Sequence, residues 1–215
     1  MATIDLAATA VREANELIRK YGADGEDVTV INPDARHHIG VGLVHDIKVN
    51  VRGSAGYFCA GLTDGCSFEI DNNVGWGLAD NMLDGSVVVR GNAGAIPAVA
   101  MRGAEVVVRG NVGSRAGQVM KEGTLLAAGN ANFMAGYMMY GGRIIILGSS
   151  GEKLGQDMTG GDIYVGGEIN SLGTDAHQID LPGTEDDAIR EFLERYQIPF
   201  NGNFKKVVNA GEKLR

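Results

Sequence analysis

The sequence predicts an all-β fold: a right-handed, single-stranded parallel β-helix of about seven coils with a 19-residue period and a helical arm at each end. Small residues recur at the same positions of a 19-residue repeat, and each repeat contains a run of β-branched residues long enough for a strand. Nineteen residues are too few for a strand-helix-strand unit. Glycine is 33 of 215 residues and proline only 4, a turn-rich composition unlike collagen or disorder. A fixed period near 20 residues marks a solenoid, whose repeats pack on their neighbours.

Columns of small residues define the repeat between positions 47 and 179. The first is Gly53, Asn72, Gly91, Gly110, Gly129, Gly148 and Gly167, and the second is Gly56, Gly75, Gly94, Gly113, Asn132, Gly151 and Asn170. A third is Ala60, Ala79, Ala98, Gly117, Gly136, Gly155 and Thr174. Since Asn replaces Gly in the first two columns, we predict corners that need a positive φ or lack room for a Cβ. The glycines assigned as structural corners are Gly53, Gly56, Gly91, Gly94, Gly110, Gly113, Gly129, Gly148 and Gly151.

Two apolar columns lie two residues apart in the strands, so they share a face and are predicted to line the interior. They are Val49, Phe68, Val87, Val106, Leu125, Ile144 and Ile163, and Val51, Ile70, Val89, Val108, Ala127, Ile146 and Val165. A methionine column, Met82, Met101, Met120, Met139 and Met158, is predicted to fill the same core, because methionine suits irregular gaps.

The intervening strand columns are predicted to face outward. Arg52, Asp71, Arg90 and Arg109 form either a surface charge ladder, which contributes little to stability, or an anion site. The other column continues from Asn50 and Glu69 into an apolar stripe, the candidate interface: Val88, Val107, Leu126, Ile145 and Tyr164. Because such a stripe is normally covered, either a terminal helix or another protein is expected to lie on it.

Three segments divide the chain: residues 1–46 with a helix, a strand and a loop leading into the first coil, residues 47–180 with the β-helix, and residues 181–215 with a helix and tail. The first helix is predicted over 5–22 with Asp5 as its N-cap, followed by a strand over 28–32 and a loop or irregular first coil over 33–46. The last helix is predicted over 185–197, with Thr184 and Asp187 resembling a capping box. A short basic tail follows it.

Composition and motifs favour a structural role within a larger assembly. The net charge of −8, without a Lys/Arg cluster, argues against nucleic-acid binding. No apolar run is long enough to span a membrane. The absence of a signal-peptide core makes a cytoplasmic location the expectation. Cys59 and Cys66 are expected to be buried thiols. His37, His38 and His45 lack partners at metal-ligand spacing, and a metal role is the alternative for them. No Walker A, CxxC, GxSxG or HExxH motif occurs, so no catalytic or metal residue is assigned.

Several motifs carry a resemblance to a known family. Residues 53–65, GSAGYFCAGLTDG, and 72–94, NNVGWGLADNMLDGSVVVRGNAG, resemble the start of the GXGXG β-helix domain. That domain forms the C-terminal part of the large chain of glutamate synthase and also occurs in one of the chains of formylmethanofuran dehydrogenase. Residues 31–43 and 203–214 are similar to the stretches that open and close the family's domain, except that His37-His38 follows Arg36 and Asn209 replaces the usual proline.

The resemblance extends to free-standing GXGXG subunits of split glutamate-synthase-like complexes, above all those of the N-methylglutamate synthase (methylamine–glutamate N-methyltransferase) family. It implies a non-catalytic scaffold in a cytoplasmic hetero-oligomer that makes N-methylglutamate and ammonia from glutamate and methylamine. The implied partners are a class II glutamine amidotransferase-type subunit and a synthase-type subunit. FMN and an iron–sulfur cluster are expected in the synthase-type partner, and this chain alone is expected to bind no cofactor.

Two alternatives remain at this point. The same scaffold serves other split glutamate-synthase-like or formylmethanofuran dehydrogenase-like complexes. A carbohydrate-active β-helix enzyme is a different class, but it needs a cluster of outward carboxylates, and the outward strand columns hold only Glu69 and Asp71 in their early coils.

Overall fold

The computed structural model describes residues 1–211, and the last four residues of the predicted tail lie outside that range. The elements in chain order are β1 (Ala2–Asp5), α1 (Val11–Ala23), β2 (Val28–Ile31), β3 (Lys48–Arg52), β4 (Cys66–Ile70), β5 (Gly85–Val89), β6 (Arg102–Val108), β7 (Glu122–Ala127), β8 (Arg143–Ile146), β9 (Asp162–Val165), β10 (Ala176–Ile179), α2 (Gly183–Arg195) and β11 (Lys205–Asn209). The strands form one 11-stranded sheet in the order β1 to β9, then β11 and β10. This arrangement confirms the predicted parallel β-helix.

The strands stack in the predicted 19-residue register from β3 to β9. Val49 pairs with Phe68 and Phe68 with Val87, and the ladder continues unbroken to Ile144 and Ile163. The sheet also begins before the repeat, because β2 pairs with β3 and β1 pairs with β2, both in parallel. The loop at 33–46 is an irregular first coil, since Ala60 N donates to Ile39 O and Gly42 N donates to Gly61 O.

The interior is apolar throughout. Every residue of the two strand columns predicted to face inward is at most 1% exposed, and so is every residue of the methionine column. A second line of contacts closes the core: isolated parallel bridges join Ala55, Val74, Ala93, Val112, Ala131, Ser150 and Ile169. The predicted inward faces and the core-filling role of the methionines are therefore confirmed.

The predicted start of the first helix is wrong. Asp5, the expected N-cap, pairs with Ile31 in the sheet, and a turn rather than a helix follows it. Asp5 Oδ1 accepts hydrogen bonds from Ala7 N and Asn32 Nδ2, both at 2.8 Å. Asp5 thus stabilises the turn after β1, while α1 begins six residues later at Val11.

The capping box predicted at the last helix is also wrong. α2 begins at Gly183, after Pro182, and has no side-chain cap. Thr184 therefore lies inside the helix, where its hydroxyl cannot serve as an N-cap acceptor. The Pro182 carbonyl instead accepts from Glu185 N and Asp186 N, as a proline just before the first turn permits.

Candidate interaction surfaces

Each coil presents three surfaces to the outside. The strand wall is the outward face of β2 to β9, and the corner edge consists of residues 53–56 and their equivalents every 19 residues. The turn wall consists of residues 57–64 and their equivalents, which are 37–44, 76–83, 95–102, 114–121, 133–140 and 152–159. Hydrogen bonds between successive coils fix these equivalences, for example Leu83 N to Thr63 O and Arg102 N to Met82 O.

The apolar stripe on the strand wall is covered by the chain itself. Val107, Leu126 and Ile145 are fully buried and Tyr164 is 4% exposed. They pack in one cluster with the apolar face of α2, formed by Ile189, Phe192 and Leu193. The terminal-helix alternative accounts for this burial, so these four residues are not available as the candidate partner interface. Val88, beyond the end of α2, remains half-buried.

Polar contacts fix both ends of α2 on the strand wall. At its C-terminal end, Tyr196 Oη donates to Glu105 Oε2 at 2.5 Å and Arg195 Nη2 donates to Glu105 Oε1 at 2.8 Å. Burial and the hydrogen bond to Glu105 raise the pKa of Tyr196. The helix is therefore held in a fixed position along the rod.

A buried lysine anchors the N-terminal end of α2. Lys206 Nζ lies 2.7 Å from Glu185 Oε2 and 2.9 Å from Asp162 Oδ1, and the Tyr164 hydroxyl donates to Glu185 at 2.7 Å. Burial alone would raise the pKa of Glu185, but the hydrogen bonds from Lys206 and Tyr164 outweigh it and lower that pKa. Burial, followed by the hydrogen bond to Glu185, raises the pKa of Tyr164.

The charge ladder lies on the uncovered part of the strand wall. Asp71 lies 3.4 Å from Arg52 and 3.7 Å from Arg90, and all three side chains are substantially exposed. Arg109 instead donates to the Tyr196 carbonyl at 2.9 Å. Arg90 and Arg109 border a groove of about 530 Å³, together with Lys48, Glu69 and Arg195. The carboxylates already partner most of its cations, which matches a surface charge ladder better than an anion site.

The predicted corner glycines are required for space, and only one of them for a positive φ. Among the nine, only Gly53 has a φ in the left-handed range, at +142°. A Cβ on Gly110 would overlap Asn92 Oδ1 and lie 2.8 Å from the Gly91 carbonyl oxygen of the previous coil. At this glycine position the previous coil thus leaves no room for a side chain.

An asparagine ladder at the corner edge was missed in the sequence. Asn73, Asn92, Asn111 and Asn130 follow each other at 19-residue intervals. Each Oδ1 accepts a 2.8 Å hydrogen bond from the backbone N–H of the next residue in the column, ending at Ser149. The constant spacing in the sequence was a sufficient signal for this ladder.

The left-handed backbone lies in the turn wall. Phe58, Ala60 and Leu62 have φ values of 56°, 58° and 56°, and the equivalent positions repeat this alternation in the following coils. Phe58 N and Leu62 N donate to the next coil, at Trp76 O and Asp80 O, whereas Ala60 N donates to the previous coil. The alternation turns successive amides toward opposite neighbours, so it ties each coil to both.

The turn wall also carries exposed apolar side chains. Eight large apolar residues are exposed within residues 1–211, and seven of them, all except Met1, lie on this wall. They are Val44, Tyr57, Leu62, Trp76, Leu83, Met138 and Tyr140, with exposures from 37% to 65%. Sequence reasoning missed this surface because the wall has no strand pattern that separates inward from outward positions.

An aromatic stack crosses the first coils of the turn wall. The rings of His37 and Tyr57 are parallel at 4.4 Å, and those of Tyr57 and Trp76 lie 5.5 Å apart. His37 Nδ1 accepts from Tyr57 N at 2.9 Å, and the His38 ring stacks on Phe58. Both histidines therefore serve packing contacts between coils.

No grouping of three or more His, Cys, Asp or Glu side chains within residues 1–211 could hold a metal ion. Cys59 and Cys66 are free thiols and both are buried. Burial raises the pKa of Cys59 to about 12 and also raises that of Cys66, so both favour the protonated thiol. The two cysteines do not form an iron–sulfur ligand set, which needs more thiolates than they supply.

Stacked 19-residue coils with Gly corners, an asparagine ladder and a helix laid on the strand wall define a β-helix module with interaction surfaces. The family model described as "GXGXG motif" matches residues 14–208. The chain belongs to the GXGXG family.

Protein GlxC of Rhizobium meliloti (strain 1021) is similar to part of this chain. The two are 39% identical over 90 residues, which cover 41% of this chain and 40% of GlxC. The match thus spans less than half of either protein. Within residues 1–211, neither helix is long and apolar enough to cross a membrane.

Proposed function

We propose that this chain is the β-helix component of a multi-subunit, glutamate-synthase-like enzyme, in which it holds catalytic subunits in place. The rigid stack of coils carries this proposal, because hydrogen bonds tie each coil to both of its neighbours and its outer surfaces are exposed to partners. Family membership over residues 14–208 supports the glutamate-synthase-like class. The partial likeness to GlxC agrees with a separate subunit of this family but names no reaction.

The reaction proposed for the assembly is that of N-methylglutamate synthase, with this chain in the place of its free-standing GXGXG component. In this proposal the rod is bound by an amidotransferase-type subunit and by a synthase-type subunit, which holds FMN and an iron–sulfur cluster. The chain's own residues contribute rigidity and contact surface. Support comes from the resemblance of residues 53–65, 72–94 and 203–214 to the GXGXG domain, which also occurs as a free-standing component of such complexes, and from a fold whose coils are tied to both neighbours.

Co-expression with an amidotransferase-type protein and an FMN-containing synthase-type protein from the same source tests the proposal. We expect the three proteins to co-elute with flavin absorbance, and N-methylglutamate to form from glutamate and methylamine only with all three present. Omitting this chain should leave the other two unassembled. If the other two assemble and turn over equally well without it, the scaffold proposal is wrong. If the assembly forms but yields glutamate from glutamine and 2-oxoglutarate, only the proposed reaction is wrong.

A further inference from the structure

We propose that the turn wall binds a second copy of this chain, with the two rods running in opposite directions about a two-fold axis. The axis lies in the interface, perpendicular to the rod and parallel to the chain within each coil. Six coils take part, and the axis passes between the third and the fourth. Their turn-wall segments are 37–44, 57–64, 76–83, 95–102, 114–121 and 133–140. Each column of the wall then faces itself in reverse order, and such an isologous contact requires self-complementary columns.

The last column of the wall has this property in its charges. It reads Val44, Asp64, Leu83, Arg102, Lys121 and Tyr140, and every member is exposed. When the order is reversed, Asp64 of each copy faces Lys121 of the other copy. This gives two equivalent ion pairs across the axis. At the ends of the column, Val44 faces Tyr140, so an apolar side chain meets an aromatic one.

Leu83 faces Arg102 at the centre of the same column. The arginine stem can cover the leucine while its guanidinium stays in water. This arrangement removes one of the exposed apolar side chains from solvent without burying an unpaired charge.

The first column has the same property in the side-chain sizes of its four central coils. It places the large Tyr57 and Trp76 in the second and third coils, and the small Ala95 and Ser114 in the fourth and fifth. Reversal sets Trp76 over Ala95 and Tyr57 over Ser114. Each exposed ring therefore enters a space that a small residue leaves on the second copy, as knobs enter holes at well-packed interfaces.

The column that contains Leu62 and Met138 also places large side chains over smaller ones. Leu62 and Met138 are 57% and 37% exposed, and reversal places them over Val119 and Gly42. Rods running in the same direction would instead set Asp64 against Tyr57, and Arg102 against Ala95. That arrangement leaves the charges unpaired, so the chemistry of the wall favours the reversed one.

This inference goes beyond the proposed function: it assigns the turn wall to a second copy and leaves the corner edge and the uncovered part of the strand wall to catalytic subunits. Light scattering on the purified full chain, without any partner, should give the mass of a dimer. Asp64→Lys and Lys121→Asp should each weaken the dimer roughly tenfold or more, because like charges then face each other at two places. Glu191→Lys, the same charge change on the exposed outer face of α2, is the matched control and should keep the dimer.

Mixing the two variants gives the decisive result. In the mixed dimer each introduced charge faces its opposite, so Asp64→Lys with Lys121→Asp should restore the dimer mass. Circular dichroism spectra like that of the unmodified chain establish that each variant is folded, and Trp76→Ala offers a second route to a weakened dimer. A monomeric chain, a dimer unchanged by either charge variant, or no recovery on mixing would overturn the inference.

The two proposals fail separately. A monomer that still assembles with flavin-containing partners removes only the self-association. An intact dimer that binds no such partner removes only the proposed function.

Discussion

The corner glycines and the asparagines of the preceding coil depend on each other. Asn92 Oδ1 accepts from Asn111 N at 2.8 Å, and in this position it occupies the space that a Cβ on Gly110 would need. An asparagine in one coil thus requires a glycine 18 residues later. The residues of the first glycine column and of the asparagine column therefore meet in the same contact between successive coils.

We expect Gly110→Ala to lower the free energy of unfolding by about 1–3 kcal/mol, the usual effect of adding a methyl group where there is no room. The Cβ would meet both a side-chain oxygen and backbone of the previous coil, neither of which can move freely. Urea unfolding measures this change.

Gly183→Ala is the matched control, because a Cβ there meets nothing within 4 Å. At the start of a helix, alanine should leave stability unchanged or slightly raised. Equal stability of the two alanine variants would contradict the steric explanation of the corner.

The stability of the chain is expected to depend on pH through the ionisation of Glu185. Lys206 and Tyr164 lower the pKa of its carboxyl group in the folded chain. Its contribution to the free energy of unfolding is therefore fully present above the pKa that it has in the unfolded chain, and is lost as the pH falls through the pKa that it has in the folded chain. Because the side chain is 33% exposed, we expect a loss on the order of 1 kcal/mol between about pH 5 and pH 3.

Unfolding free energies of the unmodified chain and of Glu185→Gln across this range measure the effect. The glutamine variant should be less stable near neutral pH and should lose less stability on acidification. Parallel pH curves for the two proteins would show that Glu185 does not contribute in this way.

At the scale of elements, α2 completes the strand wall. Its apolar face covers Val107, Leu126 and Ile145, and polar contacts to Glu105 and Lys206 hold its two ends. The helix lies along the rod axis, so it crosses β6 to β9 and binds them together. The part of the wall that it leaves free is charged.

Leu126→Ala should destabilise the chain by about 2–5 kcal/mol, as expected for a fully buried leucine. Leu126→Asp should be worse, because it buries a carboxylate under α2 without a partner. Thermal melting of the isolated chain measures both variants, and Ala188→Asp on the exposed face of α2 is the control. Melting unchanged by Leu126→Asp would mean that α2 does not cover the stripe in solution.

At the scale of the whole molecule, the periodic part of the fold was predictable and the aperiodic part was not. The columns through Val49 and Val51 gave the coil count, the register and the inward face, because every coil repeats the same contacts. The start of α1 was misplaced because Asp5 suits an N-cap and Leu6 fits a helical stripe locally, whereas pairing with β2 makes Asp5 the end of a strand and Leu6 part of the turn that follows. Local sequence cannot report such a long-range pairing.

The surfaces were predicted unevenly for a related reason. The stripe through Leu126 was recognised as a surface that must be covered, but its alternation with buried residues could not distinguish a helix from a partner. The turn wall was missed because alternating left-handed residues, such as Phe58 and Leu62, follow neither the helical nor the strand period. Its exposed Tyr57 and Trp76 became meaningful only once the coils were stacked.

The last strand of the chain has a consequence for growth of the rod. β11 runs antiparallel between β9 and β10, where a further parallel coil would otherwise stack. β11 thereby occupies the edge of β9 with a strand of opposite direction, so the coils of another rod cannot add directly to β9 in the register of the repeat, as stacked parallel strands do in fibrils. The reversed strand therefore interrupts the 19-residue repeat at this end and hinders end-to-end polymerisation of rods through β9.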